Sequence, residues 1–385
     1  MSEYIPLTSE IWPQALAPAV FLVFFLLPPS PFRRLTYLAA FLLLFYRCFF
    51  MSSIPHDWLA TRSVLAFVWM LYLDWLAKMA LHNPEHDFWR TGHPAHEAER
   101  MKPGIDKLGW AVALLASPRG IGWNFQLTKL QPRQRPAGRW RFTFQQLLRA
   151  VTFAGFSNFV GDFMKKQDAA STWGFRRAAV IPGVALKFWL DAHVLYALCD
   201  SMFMALGYAE EQDCIPPFDN NLTSLDSLQE FWGQFWHQTF RRMFQNFGRA
   251  VAWLLGIRPY SLLSGIVQTW TAFTITGVVH GLAMSSPLGT EASYAHFWAV
   301  FGFFILQAVG LTIESLFLIT PARDITLYEV GLEDEMIIGR LWTFGWLLLS
   351  GYWALDSWSE TSWSSVSMFA AMVPWVKRPS RPSRT

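Results

Sequence analysis

A single histidine lies inside a long uncharged stretch of the chain. Residues 259–290 contain no Asp, Glu, Lys or Arg, and His280 is their one titratable imidazole, within Thr-Gly-Val-Val-His-Gly-Leu-Ala-Met. An ionisable group in such a segment is costly and usually faces a cavity or a partner. The residues that share its face at helical spacing are Thr269, Phe273, Thr276 and Gly277.

These neighbours suggest what His280 could do. An imidazole has an ordinary pKa of about 6.5, so it can be neutral at physiological pH and accept a proton as a general base. Small residues beside it would leave room for a substrate, and the threonine hydroxyls would fix its tautomer. The alternative is a structural histidine that is hydrogen-bonded to a neighbouring helix.

A second segment combines aromatic rings with polar groups. Residues 227–242 read Ser-Leu-Gln-Glu-Phe-Trp-Gly-Gln-Phe-Trp-His-Gln-Thr-Phe-Arg-Arg, and Pro-Pro-Phe precedes them at 216–218. The rings recur every three or four residues, which predicts an amphipathic interfacial helix. Gly233, His237 and Arg241 would then line one face. The alternative is a surface helix whose rings serve only as packing.

Four histidines form a third group, in His-Asn-Pro-Glu-His at 82–86 and His-Pro-Ala-His at 93–96. Such spacings are typical of the histidine boxes of di-iron membrane hydroxylases and desaturases, because imidazole suits iron. Those enzymes need more clustered histidines. The remaining ones are mutually distant: His56, His193, His237, His280 and His296. The alternative is a polar loop in which Pro84 and Pro94 break helices, and we expect no metal.

The composition indicates that these residues are held by a membrane protein. Of 385 residues, 53% are hydrophobic and 15% charged, against about 45–50% and 25% in soluble domains. The 21 Trp and 34 Phe suit membrane interfaces and apolar pockets. A net charge of +3 lacks the concentrated basic face of nucleic-acid binding. The cysteines form no CxxC and indicate no chemistry: Cys48, Cys199 and Cys214.

The predicted fold is all-α, a transmembrane bundle of eight or nine helices in one domain, 1–385, with short disordered tails at 1–12 and 378–385. A bilayer-spanning helix takes about 20 apolar residues. The candidates are 15–27, 35–51, 59–81, 145–163, 179–208, 262–284, 294–320, 338–356 and 362–376. Residues 1–10 lack the basic start of a cleaved signal peptide, so we expect the first span to remain as an anchor.

The motifs resemble a known family. Phe-Trp-Gly-Gln-Phe-Trp-His-Gln at 231–238, with its Pro-Pro-Phe and Ser-Leu lead-in, and a histidine inside an uncharged span some forty residues later look like the membrane-bound O-acyltransferase superfamily, wax synthase-like branch. Ser-Pro-Arg-Gly-Ile-Gly-Trp-Asn at 117–124 is similar to a segment of fungal members, many of which acetylate terpenoid or meroterpenoid alcohols. The motif core covers 216–284.

The resemblance implies roles for particular residues. The family's membrane-embedded catalytic histidine falls on His280, and its polar motif residue falls on His237, with a hydrogen-bonding role. The residues expected to contact the substrate are Trp232, Trp236, Phe273, Thr276 and Gly277. Candidate contacts for the phosphates of CoA are Arg119, Arg241, Arg242 and Lys129, because basic side chains bind phosphate; the alternative is that they set membrane topology.

The implied reaction moves an acyl group, acetyl above all, from acyl-CoA to a hydroxyl of a lipophilic alcohol in the bilayer. It needs no bound cofactor, no metal and no protein partner. The resemblance also implies the endoplasmic reticulum. A long-chain wax ester synthase is the near alternative. A transporter with His280 on a proton or substrate path is the more distant one, although we find no internal repeat of the kind that transporters often show.

Overall fold

The described part of the chain is built from α-helices. The structure, a computed structural model, describes residues 8–51, 59–127, 138–168, 175–218, 225–285, 290–319 and 332–362. Its helices are α1 (Thr8–Leu26), α2 (Pro31–Phe50), α3 (Leu59–Ala80), α4 (Pro84–Asp87), α5 (Ile105–Leu115), α6 (Arg139–Asp168), α7 (Phe175–Leu206), α8 (Leu228–Glu230), α9 (Arg241–Leu254), α10 (Leu262–Ser285), α11 (Glu291–Ile319) and α12 (Leu332–Ser362). Within these ranges no strand forms, which confirms the all-α prediction.

The long helices coincide with the hydrophobic segments of the sequence. Each candidate span from 15–27 to 338–356 falls on one of them, whereas 362–376 lies almost wholly outside the described residues. Among the residues that the structure describes, three helical segments are both long and apolar enough to cross a bilayer: Val180–Leu206, Leu262–Ser285 and Glu291–Leu316. The total of eight or nine spans stays a prediction.

Exposed apolar side chains mark a surface suited to lipid. Leu43 on α2 is 68% exposed, and Val151 and Phe159 on α6 are 71% and 67% exposed. Large apolar patches facing water are rare in soluble monomers. These faces of α2 and α6 therefore fit contact with acyl chains.

Charged residues inside the predicted span 179–208 are paired within the protein. Lys187 donates to Asp191 at 2.8 Å and to the hydroxyl of Ser157 on α6 at 2.9 Å. All three side chains are buried. Since a paired, hydrogen-bonded charge costs far less than an isolated one in an apolar environment, the span tolerates them.

Helix packing places the motif core among several elements. α6 packs along α7 and α10 packs along α11, while α10 also contacts α3 and α9. One apolar cluster joins Trp69 of α3 to Phe240, Met243 and Leu282 of the core. The single-domain prediction is consistent with this packing and remains a prediction.

The ends of the chain bear on the predicted tails. α1 begins at Thr8, so it overlaps the predicted tail 1–12, which stays a prediction. Residues 1–7 and 363–385 lie outside the described part of the chain, and the tails stay predictions there.

Candidate active site

The hydrogen bond of His280 defines its tautomer. Its Nδ1 lies 2.9 Å from the backbone oxygen of Thr276, one turn earlier in α10. A carbonyl oxygen only accepts hydrogen bonds, so Nδ1 carries the proton and Nε2 keeps its lone pair. The Thr276 hydroxyl donates instead to the oxygen of Ala272 at 2.8 Å. The prediction that a threonine hydroxyl fixes the tautomer was therefore wrong, because the helix carbonyl already does so.

The small residues beside His280 serve helix packing. A methyl group built on Gly277 would lie 3.0 Å from the ring of Phe301, and one on Gly281 would lie 2.9 Å from the ring of Phe297. Both rings belong to α11. The space predicted at Gly277 is thus filled by a neighbouring helix, and this glycine lets α10 and α11 approach closely.

The aromatic motif begins with a firmly held end. The hydroxyl of Ser227 accepts from the backbone N–H of Glu230 at 3.0 Å and caps α8. The carboxylate of Glu314, on α11, accepts from the N–H groups of Leu228 and Gln229 at 2.9 and 2.8 Å. The free N–H groups at a helix start need such partners. Glu314 therefore fastens the motif to the α10–α11 pair.

The motif does not continue as one helix. Residues 231–235 form a π-helical turn, and Trp236 leaves it in extended conformation, with φ −70° and ψ 142°. The side chain of Gln238 donates to the oxygen of Trp236 at 2.6 Å, and Arg241 donates to the oxygen of Gly233 at 2.5 Å. Side chains thus satisfy the backbone where the helix is broken.

This break corrects the prediction of one continuous amphipathic helix, but part of that prediction is confirmed. Gly233, His237 and Arg241 do not share one helical face, because the regular helix α9 begins only at Arg241. From there α9 is amphipathic as expected, with Met243 and Ala252 buried. The extended stretch before it aims His237 inward.

His237 sits in an aromatic environment near His280. Its ring centroid lies 6.0 Å from Phe218 and 6.1 Å from Phe240, and its Nδ1 is buried without a partner in the described structure. Burial, followed by the nearby imidazole of His280, lowers the pKa of His237 to about 4. His237 is consequently neutral at physiological pH, and the two imidazoles lie close enough to influence each other.

Three of the predicted substrate contacts, Trp232, Trp236 and Phe273, pack against one another. Trp232 lies 5.3 Å from Phe273 of α10 and 6.0 Å from Trp236, measured between ring centroids. The ring of His280 lies 5.0 Å from Phe304 of α11. These rings form an apolar wall of the kind that lines lipophilic ligand sites. The structure thus brings Trp232, Trp236 and Phe273 together, and Thr276 lies one helical turn before His280 in α10.

Two of the arginines expected at phosphates are engaged by the backbone. Arg119 donates to the oxygens of Ile215 and Pro216 at 2.7 and 3.0 Å and lies over the ring of Tyr196 at 5.3 Å. Arg241 holds Gly233, as described above. These contacts favour a structural role for both. Arg242, for which no such bond is seen in the described structure, remains the better phosphate candidate, and Lys129 lies outside the described residues.

Two polar residues of α11 were missed by the sequence predictions. Glu314 caps the motif, and Gln307, fully buried, accepts from the indole N–H of Trp232 at 3.3 Å. The amide of Gln307 also donates to Ser350 of α12 at 2.8 Å. A carboxylate inside the apolar segment 294–320 was a signal that could have identified Glu314, since such residues are usually functional.

The histidine-rich loop is organised differently. His86 lies 2.7 Å from Glu99 and His93 lies 3.0 Å from Glu97, while the ring of His86 stacks on His96 at 4.1 Å. Among the described residues no three histidine, cysteine or carboxylate side chains converge as a metal site would require. The geometry therefore favours the polar-loop interpretation, and the expectation of no metal stays a prediction.

Comparison with known proteins shows a similarity in the segment that contains both histidines. Residues 215–306 match the model of the membrane bound O-acyl transferase family, a segment that includes both histidines. The chain is 25% identical to acetyltransferase sirH of Emericella nidulans, across 88% of this chain and 82% of that protein. It is 26% identical to acetyltransferase ple2 of Rhodocybe pseudopiperita, across 64% and 65%.

A third relative differs in its name. The chain is 25% identical to O-mevalon transferase yanI of Aspergillus niger, across 73% of this chain and 67% of that protein. The chain thus spans about two thirds of the length of two of these relatives and more of the first. No solved structure matches it significantly. The resemblance indicated by the motifs is confirmed: residues 215–306 are similar to the membrane bound O-acyl transferase family.

Proposed function

We propose that the protein transfers an acyl group, acetyl in the first place, from acyl-CoA to a hydroxyl of a lipophilic acceptor. The observation that carries this proposal is the bond from Nδ1 of His280 to the Thr276 carbonyl. It leaves Nε2 as a proton acceptor on a membrane helix, beside an apolar wall. A general base of this kind is what attack by an alcohol requires.

The proposed reaction is a direct transfer. Nε2 of His280 takes the proton of the alcohol as its oxygen attacks the carbonyl carbon of the thioester. The C–O bond forms, the C–S bond breaks, and the thiolate of CoA leaves. The proton held by His280 passes to that thiolate, which yields an ester, free CoA and neutral His280. The base typically contributes about 10²–10⁴ in rate, and holding both substrates in place adds more.

His237 supports this step as a neutral hydrogen-bonding group. Its pKa of about 4 makes it a poor candidate for a cation at physiological pH. Its Nδ1 is buried and unpartnered in the described structure. A hydrogen bond from or to His237 would orient the thioester or the acceptor, and its removal should slow the reaction without stopping it.

The names of the relatives and the site support particular substrates. Two relatives are named acetyltransferases, which favours an acetyl donor. Another is named an O-mevalon transferase, so a different acyl group is the second possibility. The wall of Trp232, Trp236 and Phe273 favours a terpenoid or meroterpenoid alcohol that arrives from the bilayer, in a membrane such as the endoplasmic reticulum. A wax alcohol with long-chain acyl-CoA is the alternative.

The experiment compares microsomes that express the wild type, His280→Ala and His86→Ala. His86 is the matched control, since it is a histidine on the exposed loop. Each is incubated with radiolabelled acetyl-CoA and a panel of terpenoid alcohols, then with longer acyl-CoAs. We expect labelled ester from the wild type and His86→Ala only. Wild-type turnover in His280→Ala would remove the base from the mechanism, and the absence of ester from all three would refute the proposed reaction.

A further inference from the structure

A small cavity of about 20 Å³, enough for one water-sized group, lies beside the segment that precedes the aromatic motif. It is formed by α6, α7 and the segment that contains the Pro-Pro-Phe sequence. Its polar lining residues are Gln146, Arg149, His193, Tyr196 and Asp200. A polar cavity between membrane helices is expensive unless a polar ligand or solvent fills it, so its contents need an explanation.

The cavity contains a buried hydrogen-bond acceptor. His193 is only 1% exposed, and its Nδ1 lies 2.8 Å from the backbone oxygen of Trp189. As with His280, the carbonyl requires that Nδ1 donates, so Nε2 is an acceptor. Nε2 is buried and has no partner in the described part of the chain. Such buried, unsatisfied acceptors are uncommon in folded proteins.

Neighbouring polar groups of the cavity are engaged elsewhere. The hydroxyl of Tyr196 is hydrogen-bonded to that of Thr239, in the motif. Asp200 is hydrogen-bonded to the thiol of Cys214. The open acceptor is therefore Nε2 of His193, and its complement is an O–H or N–H group.

The cavity adjoins the candidate active site through one ring. Phe218 stacks on His193, with centroids 5.0 Å apart and planes 17° apart. The same Phe218 lies 5.4 Å from Trp236 and 6.0 Å from His237. Phe218 thus contacts both His193 of the cavity and His237 of the candidate site, so a substrate group bound at His193 would lie one ring away from His237.

We propose that this cavity binds the hydrogen-bond-donating part of one of the two substrates, whose O–H or N–H group donates to Nε2 of His193. This inference rests on the proposed acyl transfer. Two sources carry that chemistry. One is the pantetheine arm of the CoA donor, which has amide N–H and hydroxyl groups. The other is a second hydroxyl on the acceptor. Arg149 and Gln146 would contact the same polar group.

The test measures the KM of each substrate for the full-length protein and three variants. His193→Phe keeps a ring against Phe218 but removes the acceptor, and His193→Gln returns a polar atom near Nε2. Asn158→Leu is the matched control, because Oδ1 of Asn158 is also buried without a partner in the described structure but does not line this cavity.

For His193→Phe we expect about a ten-fold rise in one KM, the effect of one lost hydrogen bond, with kcat within two-fold. A higher KM for acetyl-CoA would identify the pantetheine arm as the group bound at His193. A higher KM for the alcohol would identify the acceptor hydroxyl instead. His193→Gln should recover most of the loss and Asn158→Leu should match the wild type. Unchanged KM values, a fall in kcat alone, or an equal effect of Asn158→Leu would overturn the proposal and leave the cavity to solvent.

A binding measurement separates this inference from the proposed function. Thermal stabilisation of the detergent-solubilised protein is measured with CoA and with a diterpenoid diol. If the wild type makes no ester but one probe stabilises it and fails to stabilise His193→Phe, the cavity proposal holds while the acyl-transfer proposal fails. If both proteins are stabilised equally, or neither is, the cavity proposal fails.

Discussion

The motif region and the histidine-rich loop both contain several imidazoles, but they surround them differently. In the loop, the side chains of His86 and His93 are 51% and 47% exposed, and each lies against a carboxylate, Glu99 or Glu97. In the motif region, aromatic rings surround His237 and His280, and no carboxylate contacts either imidazole in the described structure. The loop contains more histidines than the motif region, yet it is for the motif region that we propose the catalytic role.

The difference lies in what already occupies each ring nitrogen. An exposed imidazole beside a carboxylate exchanges protons with water and contributes little as an ion pair. An imidazole among aromatic rings, with one nitrogen bonded to a helix carbonyl, can exchange a proton only with a molecule that enters the site. Reactivity here follows from surroundings and geometry, and histidine spacing alone would have favoured the loop.

Replacing the two site histidines should have the largest effect. His280→Ala should lower kcat by about 10²–10⁴, the usual contribution of a general base. His237→Ala should lower it by about ten-fold, as expected for one lost hydrogen bond. Single-turnover ester formation at saturating acetyl-CoA measures both. Equal losses, or a larger loss at His237, would reverse the roles assigned to these residues.

The anchor of the motif should have the next largest effect. Glu314→Leu removes the carboxylate that accepts from Leu228 and Gln229. Hydrogen bonds to charged groups contribute about 1.5–3 kcal/mol, so we expect a lower Tm and a several-fold lower kcat with little change in either KM. Glu314→Gln should recover part of the loss. If Glu314→Leu retained both Tm and kcat, the motif would not depend on α11.

The bounds of the long helices were predictable because hydropathy is a local property. The prediction 262–284 became Leu262–Ser285, and 59–81 became Leu59–Ala80. A helix that must satisfy its own backbone in lipid leaves few alternatives. His280 was predictable for the same reason, as an ionisable residue in an uncharged span.

The contacts between distant segments were not predictable from the sequence. A periodic pattern suggested one helix through 227–242, but Gln238 and Arg241 bond to backbone oxygens and stabilise the break at Trp236. Gly277 looked like space for a substrate until Phe301 of α11 filled it. In both cases the local structure is determined by a contact outside the regular helix, either in a loop or from another helix. Helical periodicity in the sequence does not report such contacts.

The adjacent residues Arg241 and Arg242 allow a structural role to be distinguished from a substrate-binding role. Arg241→Ala loses the bond to Gly233. It should therefore lower kcat a few-fold and Tm by a few degrees, while the KM for acetyl-CoA stays unchanged. Arg242→Ala should instead raise that KM by about three- to ten-fold, because a phosphate contact is worth roughly one hydrogen bond to a charged group. Steady-state kinetics with acetyl-CoA and with acetyl-pantetheine, which lacks the nucleotide phosphates, distinguish them. The Arg242 effect should vanish with acetyl-pantetheine, and its persistence would contradict phosphate binding.

The pH dependence of stability should also separate the site from the loop. An unfolded histidine has a pKa of about 6.5, whereas the pKa of His237 is about 4. The unfolded state therefore binds more protons between these values, and stability must fall as pH decreases from about 6.5 toward 4. His237→Asn, which cannot titrate, should show a shallower fall in Tm between pH 7 and pH 5 than the wild type. Equal slopes for wild type and His237→Asn would show that His237 is not buried as a neutral group.

The smallest effects are expected in the histidine-rich loop. A large effect there would contradict the difference drawn between the loop and the motif region. His86→Ala and His93→Ala each remove one exposed pair with a carboxylate, and such pairs contribute about 0–1 kcal/mol. We expect turnover within two-fold of wild type and a Tm shift of at most a degree or two for either variant. Metal analysis of the purified protein is the decisive companion measurement, because a hydroxylase-type centre would bind about two irons per chain through clustered imidazoles. Stoichiometric iron that is lost in both variants, together with lost turnover, would move the chemistry from His280 to the loop.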